Sequence, residues 1–228
     1  MLETKNLVKK FGSKTAVDDI SFTIGPGKIY LLLGPNGSGK TTWMKIAATL
    51  TKPTSGNVYW DGKPVGIESR KKISYMPTES YFYNWMRVAD VGTYYSDFFE
   101  DFDARKFADM LAKLDLAPDA RVRDLSSGMN AKLRLAAAMS RYASVYLLDE
   151  PLNGIDLVAR DQVLDTVIAS MTPDAAIVLS SHLVEEVESI ASTAVFIRDG
   201  KIMEIRDTEE LRDTDGQSLA DRYRLLMR

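Results

Sequence analysis

The nine residues from 34 to 42, GPNGSGKTT, constrain this chain more than any other part of its sequence. They follow an apolar run within 28–33 and fit the pattern G-x-x-x-x-G-K-[ST]. In such a loop the backbone N–H groups point inward at phosphate oxygens, and side chains in place of the glycines would obstruct them. The pattern therefore predicts a buried strand, a tight phosphate-binding loop and a helix whose N-terminal dipole favours anions.

The side chains of this loop have expected roles. Lys40 is expected to reach the β- and γ-phosphates of a nucleotide, and Thr41 to place its hydroxyl on Mg²⁺. A glycine-rich turn is the alternative, but the order of strand, loop and helix favours nucleotide binding. The residues expected to bind nucleotide here are Gly34, Asn36, Gly37, Ser38, Gly39, Lys40, Thr41 and Thr42.

Composition excludes several other classes. Hydrophobic residues make up 45% and charged residues 27%, which favours a soluble globular chain over a disordered or fibrous one. The formal net charge of -3 predicts no general attraction to nucleic acid, so no nucleic-acid partner is expected. With no cysteine and one histidine, His182, cysteine-ligated and multi-histidine metal sites are excluded. No uncharged apolar run is long enough to predict a membrane span or a secretory leader.

Hydrophobic patterning predicts an α/β fold. Residues 7–11 and 16–24 alternate as strands do, with a turn at Gly12 and Ser13 between them. Continuous apolar runs at 145–148, 175–179 and 193–197 are typical of buried parallel strands, and helical segments separate them. Residues 84–142 have a helical pattern, and a helix is predicted over 129–142. Within this region helical spacing relates Phe107, Met110, Leu111 and Leu114.

Two acids follow the apolar run at 145–148. Ligands of open α/β sheets bind outside the carboxyl ends of the strands, where Asp149 and Glu150 are expected to lie. Asp149 is expected to hold Mg²⁺ through its water shell, and Glu150 to orient or deprotonate an attacking water. A solvated pair of strand-end acids is the alternative, and it is disfavoured in a chain that carries a phosphate loop.

The segment LSSGM at 125–129, shortly before that strand, completes a resemblance to the ATP-binding cassette family, the nucleotide-binding subunits of membrane transporters. The resemblance covers nearly all of the chain. It implies an α/β P-loop ATPase core, with a mixed sheet and an antiparallel β subdomain, and an inserted α-helical subdomain. The core would comprise 1–78 and 143–206, the insertion 79–142, and a short helical tail 207–228, all forming one domain.

The resemblance also implies a head-to-tail dimer that binds ATP and Mg²⁺. The signature residues Ser126, Ser127 and Gly128 would cap the ATP held by the other subunit, because they begin a helix with free N–H groups. Asp156, in the loop 153–156, would cross the dimer to the opposite active site. An ordinary Ser-Gly helix cap is the alternative for the signature.

Two further positions take roles from the same resemblance. Phe11 falls where the family has an aromatic residue that stacks on adenine, although a strand-end core phenylalanine would look the same. His182 follows an apolar strand, as does the family's switch histidine, which contacts the γ-phosphate. A lone histidine on the surface is the alternative.

This sequence departs from the family pattern at two places. Where the family has a Gln that ligates Mg²⁺, this chain has Thr78, whose shorter side chain would need a bridging water to contribute to the metal site. In the signature, Ser127 and Met129 replace Gly and Gln, which puts the affinity of dimerisation in question. The Gly-Met ending, together with residues 95–103, resembles bacterial export-type cassettes.

The resulting hypothesis is an ATPase subunit that powers a membrane transporter in the export direction, with a transmembrane permease and a second cassette subunit as partners. It would lie in the cytoplasm, peripheral on the inner face of the cell membrane. A soluble cassette switch without a membrane partner is the alternative; a kinase or GTPase leaves the signature and His182 unexplained. The resemblance implies that the permease groove lies at the dense aromatic segment 81–87, whose composition is typical of interfaces; the alternative is packing between subdomain and core.

Overall fold

A computed structural model describes the backbone of residues 1–228 and every side chain except those of residues 214 and 215. The strands are β1 (Leu2–Phe11), β2 (Lys14–Ile24), β3 (Ile29–Leu33), β4 (Ser55–Trp60), β5 (Lys63–Pro64), β6 (Ile73–Met76), β7 (Val145–Asp149), β8 (Ala176–Ser181), β9 (Thr193–Arg198) and β10 (Lys201–Asp207). The helices are α1 (Lys40–Ala47), α2 (Ile67–Lys71), α3 (Val88–Phe98), α4 (Ala104–Lys113), α5 (Ser127–Met139), α6 (Leu157–Ala169), α7 (Val184–Val187), α8 (Thr208–Asp215) and α9 (Leu219–Leu226).

The larger sheet has the order β10-β9-β3-β8-β7-β6. Strands β9, β3, β8, β7 and β6 are parallel, and β10 pairs antiparallel with β9 at the edge. Every residue of β3, β7 and β8 is buried, which explains their continuous apolar sequences. Because Leu33 pairs with Ser181 and Asp149 with Ser180, the loops after β3, β7 and β8 leave the same edge of the sheet.

The smaller sheet is antiparallel, with the order β2-β1-β4-β5. One hydrophobic cluster joins the two sheets: it contains Leu2 and Ile20 from the smaller sheet, Leu32 and Val145 from the larger one, and Trp43 from α1. Trp43 is fully buried. The expected combination of a mixed sheet and an antiparallel β subdomain is thus confirmed.

Helices α3, α4 and α5 lie between β6 and β7 in the chain. Helix α4 begins where Asp103 accepts hydrogen bonds from the backbone N–H groups of Arg105 and Lys106, at 2.8 and 3.0 Å. The residues predicted to share its apolar face, together with the residue that follows the helix, are buried as expected: Phe107, Met110, Leu111 and Leu114. The boundaries of the inserted subdomain stay a prediction.

The region 84–142 is less continuously helical than its pattern predicted. The helix expected over 129–142 runs instead from Ser127 to Met139. It starts two residues earlier because the Ser126 hydroxyl accepts from Met129 N at 3.2 Å. It ends three residues earlier because Tyr142 N donates to Asp101 O at 2.9 Å, which draws the chain into an extended bridge.

The segment after Asp207 forms the helices α8 and α9, as its pattern predicted, and its division from the core as a tail stays a prediction. Within the part of the chain that the structure describes, none of the helices combines the length and the apolar character needed to cross a membrane.

Candidate functional site

The loop after β3 packs tightly against two other strands. An ideal Cβ on Gly34 would lie 2.2 Å from Ile197 O, and one on Gly39 would lie 2.3 Å from Ala16 O. Gly39 also has a φ of 108°, which side-chain-bearing residues rarely adopt. Helix α1 begins at the next residue, Lys40. The glycines at these positions therefore let the loop close against β2 and β9 while α1 points its N-terminus at the loop.

Lys40 lies across the loop and is only 5% exposed. Its Nζ donates to Gly34 O at 2.7 Å and Pro35 O at 3.2 Å, and it lies 3.3 Å from Glu150 Oε1. The buried Ser38 Oγ has no hydrogen-bond partner among the described residues. A buried cation, an unpartnered hydroxyl and a helix N-terminus form a cradle suited to phosphate oxygens.

Asp149 is fully buried at the end of β7. Its Oδ1 accepts from Thr41 Oγ1 at 3.0 Å and from Ser180 Oγ at 2.8 Å, and its Oδ2 accepts from Tyr75 OH at 3.3 Å. Burial, together with the Asp149 charge, raises the pKa of Tyr75 well above its ordinary value, so Tyr75 stays a neutral donor. Thr78 Oγ1 donates to Asp149 O at 3.4 Å.

The structure thus brings together the three residues predicted to bind metal, Thr41, Asp149 and Thr78. A hydroxyl and a carboxylate oxygen 3.0 Å apart form an oxygen donor set of the kind that Mg²⁺ prefers, with water completing its coordination. The residues present therefore fit this cation. The Thr78 hydroxyl donates to a backbone carbonyl, which is compatible with the expected water-mediated contact to the metal.

Glu150 and His182 form a pair beside this cluster. His182 Nδ1 lies 2.9 Å from Glu150 Oε2. Glu150 has a φ of 50°, an uncommon conformation for a residue with a side chain, and its N–H donates to Ser180 Oγ at 2.9 Å. Ser180 therefore fixes both acids, because it also donates to Asp149. Strained backbone held by several contacts is frequent where a side chain must be aimed at a reacting group.

These residues surround a cleft of about 470 Å³. It is lined by Phe11, Lys14, Ala16, Asn36, Gly37, Ser38, Gly39, Lys40, Thr41, Thr42, Thr78, Glu150, Asn153 and His182. Phe11 is 55% exposed at its rim, so it is not the strand-end core residue that its sequence position also allowed. Lys9 Nζ lies 4.9 Å from the centre of the Phe11 ring. A cleft with an aromatic ring at its rim and a phosphate cradle matches the two ends of a nucleotide.

The signature residues lie outside this cleft. Ser126 caps α5, and an ideal Cβ on Gly128 would lie 2.8 Å from Gly154 O, so the loop 153–156 packs against the start of α5. Asp156 Oδ1 accepts from Ala159 N at 3.0 Å and caps α6. Within one subunit, Ser126, Ser127, Gly128 and Asp156 are not brought to the phosphate loop.

Sequence reasoning missed several residues in the cleft and around Asp149. Ser180 comes at the end of an apolar run, so the sequence could have placed it at the predicted ligand-binding edge of the sheet. Lys14 pairs in register with Phe11 across the β1–β2 hairpin, so the hairpin pattern could have placed it at the rim. For Tyr75 no signal was available, because its contact with Asp149 depends on the order of β6 and β7 in the sheet.

The side chains of the aromatic segment 81–87 lie in different environments. Phe82 and Met86 are buried, which fits the alternative that part of the segment packs between helices and core. Tyr83 and Trp85 are 58% and 66% exposed and stack on each other with ring centres 5.7 Å apart. Tyr81 lines a neighbouring groove of about 610 Å³, to which Tyr83 and Trp85 do not contribute. Side chains of the segment therefore point in different directions, and its role as the permease groove stays a prediction.

Comparison with known proteins establishes the class. The sequence model of the family described as ABC transporter matches residues 17–153, more than half of the chain. The chain therefore belongs to the ABC transporter family and is an ABC ATPase, a nucleotide-binding subunit of the type its motifs predicted.

Individual relatives cover most of the chain. The lantibiotic transport ATP-binding protein SrtF of Streptococcus pyogenes is 31% identical over 205 residues, 89% of each protein. The Nod factor export ATP-binding protein I of Burkholderia lata is 32% identical over 208 residues, 88% of this chain and 68% of that protein. The ABC transporter ATP-binding protein YtrB of Bacillus subtilis is 29% identical over 216 residues, 93% of this chain and 74% of the relative.

Solved structures share the fold. An ATP-binding subunit of an ABC transporter superposes with a TM-score of 0.88 at 23% identity, with complete coverage of both chains. A dimeric ATP-binding cassette in a post-hydrolysis state, bound to ADP and Pi, superposes with a TM-score of 0.80 at 20% identity and covers 91% of this chain and 99% of that one. The predicted fold class is confirmed.

Proposed function

We propose that this chain is the ATP-hydrolysing subunit of a membrane transporter that works in the export direction. The observation that carries the proposal is the convergence of Lys40, Asp149, Glu150 and His182 on one cleft beside the phosphate loop. The names of two relatives, a lantibiotic transport protein and a Nod factor export protein, support the transport role and its direction. The subunit would lie on the inner face of the cell membrane, held there by a transmembrane permease.

In its own cleft the chain would bind ATP from the aromatic rim to the phosphate cradle. Phe11 would stack on the adenine, and Lys40 with the N–H groups of the loop would hold the β- and γ-phosphates. Glu150 would orient the attacking water and accept its proton, while His182, hydrogen-bonded to Glu150, would contact the γ-phosphate. A general base held at a fixed orientation by two neighbours loses little entropy when the water arrives.

Thr41 and Asp149 would hold Mg²⁺, with Thr78 contributing indirectly. When bound, this ion would neutralise charge on the phosphate oxygens. The hydrogen bond between Thr41 and Asp149 supports the assignment, because both oxygens already face each other.

A second subunit, the same chain or a paralogue, would complete the site. Ser126, Ser127 and Gly128 begin α5, and a helix N-terminus offers unpaired N–H groups to an anion. Their position outside their own cleft supports contact with the nucleotide of the other subunit in a head-to-tail dimer. Asp156, at the start of α6 beside the same loop, would lie near the dimer interface.

The groove beside Tyr81 is the proposed docking surface for the permease. Aromatic rings dominate its lining: Tyr81, Tyr94, Tyr95, Phe98 and Phe99. Lys45 and Arg70 add positive charge, and no acid is among its lining residues that the structure describes. An amphipathic permease helix with an acidic side chain at its edge would suit this lining.

The test begins with phosphate release from ATP by the purified chain, in the presence of Mg²⁺ and then of EDTA. The parent should show turnover that depends on Mg²⁺. Lys40→Ala should abolish both nucleotide binding and turnover. The tagged chain, purified from detergent-solubilised membranes of its native host, should also bring a transmembrane permease with it. Turnover without any membrane association would favour the alternative, a soluble cassette switch. Absence of turnover by the parent, alone and with the permease, would refute the proposal.

A further inference from the structure

Arg134, in the middle of α5, is a buried cation with an unusual set of partners. It is 4% exposed, and among the described side chains no carboxylate lies within 4 Å of its guanidinium. Burial lowers the pKa of Arg134, and interactions with Tyr81 and Asp149 partly offset this effect. Its hydrogen bonds go instead to backbone carbonyls: Nη1 donates to Pro77 O at 2.6 Å and to Thr78 O, and Nε to Asn130 O at 3.3 Å.

Two other side chains already attach this region to β6. The buried Ser74 Oγ donates to Ala138 O at 2.8 Å, in the middle of the strand. Arg141, just after α5, donates to Ile73 O at 3.1 Å and pairs with the Asp101 carboxylate at 3.0 Å. These contacts would hold α5 on the sheet without Arg134. A buried arginine with no carboxylate in direct contact is costly to bury, so packing alone does not explain Arg134.

Arg134 differs from Ser74 and Arg141 because its contacts are to the segment that follows β6. The segment it holds contains Thr78, whose hydroxyl donates to Asp149 O at 3.4 Å. Arg134 therefore determines where the backbone of Thr78 lies relative to the carboxyl end of β7.

We propose that Arg134 is a positioning residue that holds Thr78 beside Asp149 and ties this position to the orientation of α5. The inference rests on the proposed function, since it gives Asp149 and Thr78 their role. Arg134 lies two helical turns, about 10 Å, from the signature residues that begin α5. One side chain thus connects the metal end of a subunit's own cleft to the surface that it presents to the other subunit.

The first measurement is hydrogen exchange at the amides of residues 78–80, which requires no nucleotide. Arg134→Met keeps the length and apolar stem of the side chain but removes its donors. Exchange across 78–80 should rise roughly tenfold in this variant, while Arg134→Lys, which keeps charge and a donor, should restore part of the protection.

The second measurement is ATP turnover across a Mg²⁺ titration, beside ADP affinity in EDTA. Arg134→Met should raise the Mg²⁺ concentration for half-maximal turnover and lower the maximal rate, each by roughly tenfold, as loss of a supporting contact around a metal site does. ADP affinity in EDTA should stay within about twofold, since the phosphate loop is untouched.

Ser74→Ala is the matched control, because it removes another buried contact between α5 and β6. It should leave the exchange of 78–80 and the Mg²⁺ response unchanged even where it lowers Tm. Unchanged exchange in Arg134→Met, or an equal Mg²⁺ effect in Ser74→Ala at equal loss of Tm, would overturn the inference. If Arg134→Met does not fold, Arg134→Gln, which cannot reach both carbonyls, takes its place under the same criteria. A parent chain without turnover would refute the proposed function alone, because hydrogen exchange still decides the role of Arg134.

Discussion

Lys40 Nζ lies 3.3 Å from Glu150 Oε1, and both side chains are almost completely buried. The candidate general base is therefore the ion-pair partner of the candidate phosphate-binding lysine. His182 holds the other carboxylate oxygen at 2.9 Å. A polyphosphate in the cleft would be a second anion near Lys40, so Glu150 and the nucleotide would act on the same cation. This arrangement predicts that substitution of Glu150 changes binding and turnover in opposite directions.

Glu150→Gln should lower kcat by roughly a hundredfold or more while ATP binds at least as tightly as in the parent. The amide cannot accept the proton of water, and it removes a negative charge near the phosphate site. Steady-state turnover and equilibrium binding of ATP test the two effects separately. The variant should also accumulate as an ATP-bound dimer in size-exclusion chromatography.

The exposed Glu68 supplies a control of equal chemistry, since it is 82% exposed and pairs with Lys71 on α2. Glu68→Gln should leave kcat and ATP affinity unchanged. Near-normal hydrolysis by Glu150→Gln would remove Glu150 from the role of general base.

Phe11→Ala should weaken ATP and GTP binding by similar amounts, about 1–3 kcal/mol. A ring 55% exposed at the cleft rim can stack on any base and makes no hydrogen bond that would distinguish adenine from guanine. Fluorescence titration with each nucleotide measures the effect. Phe11→Tyr, which keeps the ring, should bind as the parent does. A selective loss of ATP binding would mean that other residues recognise the adenine.

The residues that sequence reasoning found and missed differ in how far their contacts reach along the chain. Lys40 and Thr41 belong to one contiguous motif, and the buried strand before it fixes their direction. Ser180, which contacts both acids at the end of β7, is brought there only by the pairing of β7 with β8. Arg134 interacts with Thr78 across 56 positions of sequence. Such contacts follow from strand order and helix orientation, which local patterns do not encode.

Thr78→Gln should raise turnover or lower the Mg²⁺ concentration needed for it, by severalfold. The longer amide could reach past the Asp149 carbonyl, to which the Thr78 hydroxyl now donates at 3.4 Å, and supply an oxygen to the metal directly. Steady-state rates across a Mg²⁺ titration test this. Thr78→Ala serves as the comparison and should need more Mg²⁺ than the parent. Identical titration curves for all three proteins would place position 78 outside the metal site.

The stacked pair of Tyr83 and Trp85 yields a prediction about the permease. Two exposed aromatic rings beside an aromatic groove are the composition that protein interfaces favour, and neither ring supports the core. Trp85→Ala and Tyr83→Ala should therefore leave Tm and ATP binding unchanged. Each should weaken association with the permease by about 2 kcal/mol, as truncation of an aromatic interface anchor does.

Phe82→Ala provides the opposite case in the same segment. Phe82 is 7% exposed and packs 4.5 Å from Tyr81 between ring centres, so its truncation should cost about 3–5 kcal/mol of stability. Thermal melts of the isolated subunit and co-purification of the folded molecules with the permease separate the two effects. A sharp fall of Tm in Trp85→Ala with unchanged association would show that the exposed pair supports the fold and that the permease docks elsewhere.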